Sequence, residues 1–181
     1  SEPFTDGCIG DWAEDALAII AHVTTGPVVL VVSSMGGWIA CLVSQRLPEV
    51  AGFVGIAAAP DFTEDSMWAS FGDTQKAELM EKGVVHIPSD YDAPYPVTRR
   101  LIEDGRANLV LRRPLPMPWP VRLLQGTDDT DVLPSVALAL LAHIDGADAR
   151  MVLVKHADHR FSTPECLHLL EATLNEVISD A

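Results

Sequence analysis

The 181-residue sequence predicts an α/β fold built on a parallel sheet with helices on both faces, and three observations predict it. Short β-branched runs alternate with segments of helical period along the chain. Those runs are apolar throughout, as in strands covered on both faces, and do not alternate with polar residues. Gly or Pro marks the junctions. The length suits one domain, and the hydrophobic share of 48% is that of an ordinary globular chain.

The elements follow in order. Ile9, Trp12, Ala13, Ala16, Leu17, Ile20 and Val23 recur at three- and four-residue steps, which predicts an amphipathic helix that Gly26-Pro27 stops. Val28, Val29, Leu30, Val31 and Val32 form a buried strand, and a helix over 35–47 ends at Pro48. Residues 53–57 are the next strand. After Pro120 the rhythm returns: a short strand at 121–124, a helix over 132–144, a strand at 151–154, and a closing helix over 164–178 with Pro164 at its start. Strand and helix in this alternation imply right-handed crossovers.

Between about 61 and 118 the rhythm breaks. This stretch carries charges, the aromatics Trp68, Phe71, Tyr91 and Tyr95, and a proline-rich exit at Pro114, Pro116, Pro118 and Pro120. It is too long for an ordinary loop, and the expectation is an inserted cap with helices near 74–82 and 96–105.

A formal charge of −14 repels phosphate backbones and anionic lipid head groups, which argues against nucleic acid or an acidic membrane surface as partner. Cys8, Cys41 and Cys166 are odd in number and have no metal-ligand spacing, so a cytoplasmic or other reducing compartment is the simpler reading. No apolar run approaches the ~20 residues that span a bilayer. The chain begins at Ser1 rather than Met, which leaves room for an upstream targeting segment.

The chemistry is carried by Ser34. It stands between a buried strand and a helix and is followed by Gly36 and Gly37, in a turn that lifts its hydroxyl above the sheet edge. The helix start offers the backbone amide of Met35 to negative charge developing on a carbonyl oxygen. A Ser-Gly turn that holds phosphate is the competing reading. The full Gly-x-Ser-x-Gly pattern is broken by Val32, whose β-branch crowds the turn.

A serine hydroxyl needs an imidazole to take its proton and a carboxylate to fix the tautomer. Asp129, in Gln-Gly-Thr-Asp-Asp-Thr-Asp, follows one late strand, and His159, in Lys-His-Ala-Asp-His-Arg, follows the next. Both fall at carboxyl ends of parallel strands, where open sheets of this class place their sites. Asp128 and Asp131 share the acid loop, Asp61 ends the strand after Ser34, and His156 precedes His159 by three residues; these are the alternatives.

The remaining candidates read as structural. His22, His143 and His168 belong to helices and His86 to the insertion. Cys41 is a small buried residue, and no cluster suggests a metal or nucleotide. Met35, Trp68 and Phe71, with Met67, are the expected lining of an acyl pocket, although packing of the insertion on the sheet predicts the same apolar residues.

Ser-Ser-Met-Gly-Gly-Trp, Leu-Leu-Gln-Gly-Thr-Asp-Asp and Lys-His-Ala-Asp-His-Arg, in this order, resemble the α/β-hydrolase branch that contains the mitochondrial palmitoyl-protein thioesterase and its bacterial relatives. Ile-Gly-Asp-Trp in the first helix and Lys-Gly-Val in the insertion extend the likeness from about Phe4 to the C-terminus. The resemblance implies a serine esterase or thioesterase that works through an acyl-enzyme without a cofactor, with Ser34 as nucleophile, Asp129 as acid and His159 as base. The chain departs from the family pattern at Val32 and at Gln125, where the family has Gly and His.

Family members also carry strands before the first helix seen here, and a loop among them completes the oxyanion hole. Without them the strand at 28–32 becomes a long apolar edge. The expectation is that this chain is part of a longer protein or that another chain covers the edge. An α/β-hydrolase-fold binding module that has lost catalysis is the alternative function.

Overall fold

The computed structural model describes residues 3–88 and 94–179; Tyr91 lies outside them. In chain order the elements are α1 (Ile9–Val23), β1 (Val28–Ser33), α2 (Met35–Ser44), β2 (Val50–Ile56), a π-helical segment (Thr63–Trp68), α3 (Asp73–Lys82), β3 (Val84–Ile87) and β4 (Tyr95–Thr98). There follow α4 (Arg99–Ala107), β5 (Leu115–Pro116), β6 (Val121–Gly126), α5 (Pro134–His143), β7 (Ile144–Asp145), β8 (Ala149–Val154) and α6 (Pro164–Ser179).

The β-branched runs of the sequence form one parallel sheet in the order β1-β2-β6-β8. Successive residues of a strand point to opposite faces, and here both faces are covered. Leu30, Phe53 and Leu123 pack with Ile9 of α1, Trp38 of α2 and Leu140 of α5. Their neighbours Val54 and Leu124 pack on the other face with Cys166 and Val177 of α6. This sandwiching is why the central strands show no polar alternation. Arg122, buried within β6, donates to the carboxylates of Asp148 and Glu176 and so ties β6 to α6 and to the approach to β8.

β1 is an edge of this sheet, and it is less enclosed than its sequence predicts. Val31 is 43% exposed because α6 lies over β2 and β6 instead. Among the described residues no strand pairs with its outer side. α2 also ends earlier than expected: a turn in which Arg46 and Leu47 both donate to the Val43 carbonyl closes it before Pro48.

Residues 61–118 leave the sheet after β2 and return at β6. They hold the two expected helices and a feature the sequence reading missed, the antiparallel hairpin of β3 and β4. The pairing of His86 with Pro96 claims the residues expected to begin a helix. That helix therefore starts at Arg99, with the Thr98 hydroxyl accepting the Leu101 amide at 3.1 Å as its cap. Phe71, Leu79, Val85, Val97 and Ile102 form a small core of their own.

Asp61 clamps the two ends of this excursion together. Fully buried, it accepts the amides of Val110 at 2.8 Å and Leu111 at 2.9 Å, and pairs with Arg112. Burial pushes its carboxyl above the usual range, while those two amides and Arg112 oppose the rise.

Candidate active site

Ser34 occupies a backbone conformation with φ 52° and ψ −128°, costly for any residue with a Cβ. The surrounding hydrogen bonds hold it there. Its amide donates to the Ile56 carbonyl, and its carbonyl accepts the amides of Gly37 and Ala59, at 2.9–3.0 Å. The turn is thus stitched to the end of β2 on both sides. Gly37 is required by space, since a Cβ there would lie 2.5 Å from Ala58 Cβ and 2.9 Å from its Cα. Val32 does fit: a Cβ built on Gly36 would lie 3.8 Å from Val32 Cβ, an ordinary contact.

β6 and β8 deliver the partners. His159 Nε2 lies 3.1 Å from Ser34 Oγ, and its Nδ1 lies 3.0 and 3.2 Å from the two oxygens of Asp129. A carboxylate at Nδ1 keeps the proton on that nitrogen and leaves Nε2 to accept from the hydroxyl. Asp129, itself buried, accepts the amides of Asp131 and Val132 on Oδ1, and Gln125 Nε2 on Oδ2 at 3.0 Å.

The alternatives are engaged elsewhere. Asp128 faces the exposed His156, whose ring holds its carboxyl below the usual range. Asp61 is occupied by residues 110–112. Burial, together with the charge of Asp61, pushes the Cys41 thiol up to about 12, where it is no nucleophile. His143 turns its Nδ1 to the Ala139 carbonyl within α5.

An apolar cavity of about 310 Å³ opens beside Ser34, lined by Met35, Phe62, Met67, Tyr95, Val132 and Val136 among others. Met35 and Met67 stand where the sequence reading expects them. Trp68 and Phe71 do not line it, which corrects that expectation. Trp68 turns away to lie between the cations of Lys76 and Arg106, and Phe71 belongs to the core of the 61–118 segment. Phe62 and Tyr95 went unremarked as lining because apolar composition does not say which side of a helix or hairpin meets the sheet. A wider opening on the other side of Ser34 is bordered by His159, Asp128, Asp131, Asp158 and Arg160.

Asp129, Asp131 and His159 each place one ligand-type atom within 4.8 Å of the others. The Asp129 oxygens already accept four N–H groups, so this cluster reads as a hydrogen-bond network and not as a metal centre.

No family model matches the chain. Solved structures do. A putative hydrolase from Agrobacterium vitis S4 superposes with a TM-score of 0.93 at 40% identity, covering 97% of this chain and 70% of that one. Alpha/beta hydrolase domain-containing protein 10 from mouse gives 0.88 at 29% identity, covering 98% of this chain and 72% of that one.

The chain belongs to the α/β-hydrolase family.

Within the family, the mitochondrial palmitoyl-protein thioesterase of Rattus norvegicus is 32% identical to this hydrolase over 94% of the chain. The chain spans a little over half, 58%, of that relative's length. Among the described residues no helix is long and apolar enough to cross a membrane.

Proposed function

We propose that this α/β hydrolase cleaves carboxylic esters or thioesters through an acyl-enzyme on Ser34. The observation that carries the reading is the unbroken hydrogen-bond line from Ser34 Oγ through His159 to Asp129. Ser34 attacks the acyl carbon while His159 Nε2 takes its proton and hands it to the leaving oxygen or sulfur. Water then enters by the same route in reverse, and Asp129 holds the imidazole and stabilises its charged form. The Met35 amide, at the first residue of α2, faces the oxyanion. No step calls for a cofactor. Residues 61–118 act as a cap on a single domain, and the three buried, free cysteines suit a reducing compartment.

The apolar cavity suits the acyl chain, and the name of the rat relative brings thioesters of palmitoylated proteins among the candidate substrates. The leaving group then faces the wider opening, where Asp128, Asp131 and Asp158 outnumber Arg160. A cationic thiol or alcohol as leaving group is therefore expected to give a kcat/KM about three- to tenfold above its anionic counterpart on the same acyl chain at low salt. Asp131→Asn narrows that ratio. A ratio of one at low salt, unchanged in the variant, removes charge from the selectivity.

The test of the central reading is a fluorophosphonate probe. It labels Ser34 in the folded protein and fails to label Ser34→Ala. A folded protein that refuses the probe is the binding module instead.

A further inference from the structure

We infer that Gln125 is a positioning residue that holds the Asp129 carboxylate against His159 with a donor that never titrates. The inference rests on the proposed roles of Asp129 and His159 and goes beyond them. Gln125 is fully buried on β6, four residues before Asp129. Its Nε2 donates to Asp129 Oδ2 and to the Val132 carbonyl, each at 3.0 Å, and lies 3.3 Å from the Gly126 carbonyl. All three neighbours are acceptors, which fixes the amide: turned over, its oxygen would face three oxygens.

Its own oxygen, Oε1, is buried with no hydrogen-bond partner among the described residues. A side chain that merely filled this point of the sheet would be better apolar, because a buried carbonyl without a donor is a standing cost. What the amide supplies, and an apolar side chain of that size cannot, is the bond to Oδ2.

The two oxygens of Asp129 are held differently. Oδ1 is fixed by the amides of Asp131 and Val132, within its own turn. Oδ2 has two side-chain donors only, Gln125 and His159. Gln125 therefore sets the rotation of the carboxylate, and with it the plane of the imidazole that reaches Ser34. It also shares the charge on Oδ2. Without it, that oxygen becomes more basic and draws the His159 proton harder, so the imidazolium form is favoured.

The experiment removes the donor in Gln125→Leu and, should that chain not fold, in Gln125→Met, which fills a similar length. The Nδ1 proton of His159, read as a downfield NMR resonance and identified by its loss in His159→Gln, moves further downfield. The acid limb of the pH profile for probe labelling of Ser34 moves up by about half a unit to one unit. At pH 6 labelling slows about three- to tenfold.

A Gln125 that only staples the loop through Val132 lowers the melting temperature and leaves the resonance and the acid limb where they were; that result overturns the inference. The resonance can also be followed in Ser34→Ala. Failure of Ser34 as nucleophile therefore leaves the resonance readable, and the two claims fall separately.

Discussion

Ser34→Ala lowers the rate of ester hydrolysis by about 10³- to 10⁶-fold at unchanged fold, the largest effect expected of any single substitution in this chain. The change deletes one oxygen. The turn keeps its hydrogen bonds to Ile56, Gly37 and Ala59, which use only the backbone of residue 34. Because alanine carries the same Cβ, it meets no new strain at φ 52°. What is lost is the atom 3.1 Å from His159 Nε2. Asp129→Asn is a partner experiment: an amide NH₂ turned toward Nδ1 selects the wrong tautomer and costs about 10⁴-fold. Stopped-assay kinetics with an activated ester, with folding checked by circular dichroism, read both. A Ser34→Ala protein that retains the wild-type rate places the chemistry elsewhere.

Gly126→Ala is expected to cost about 3 kcal/mol of stability or more, and to separate the acid from the base. Gly126 ends β6 where it meets the loop that carries His159. A Cβ there would lie 2.1 Å from the Ala157 carbonyl oxygen, 2.6 Å from its carbon and 3.1 Å from the Asp158 carbonyl oxygen. All three are backbone atoms, so no rotamer change relieves the clash. The loops must part, which stretches the bonds from Asp128 N to the Ala157 carbonyl and from His156 N to Thr127 Oγ1. Asp129 and His159 stand on the two sides of that seam. In a domain of this size the melting temperature falls by roughly 6–12 °C, and probe labelling of Ser34 falls even where the variant is folded. A variant with the wild-type melting temperature and labelling rate shows that the seam opens freely.

The parts of this molecule that the sequence reveals are those that local chemistry settles. The period of Ile9, Trp12, Ala13 and Ala16 marks α1 to the residue, and Pro164 marks the start of α6. The order Ser34, Asp129, His159 is legible because each residue ends or follows an apolar β-branched run, and the sheet turns that order into proximity.

What escapes sequence reading depends on partners distant in the chain. The β3–β4 hairpin is hidden because four-residue strands carry little pattern, and Pro96 argues against a strand until its edge position is known. Trp68 and Phe71 look like pocket residues by composition. Only the packed structure shows one stacked on Arg106 and the other within the core of the inserted segment. Gln125 registers in the sequence only as a departure from a pattern. Its place beside Asp129 follows from a turn that brings residue 129 back along the end of its own strand, a curvature the four-residue spacing does not announce.

Mass spectrometry of the Ser34 peptide after rapid acid quench of the protein with an activated ester tests the central claim most directly. The account predicts the acyl mass on Ser34 during turnover, abolished in Ser34→Ala and slow to form in His159→Gln. Turnover at an undiminished rate with no acyl group on Ser34 contradicts it.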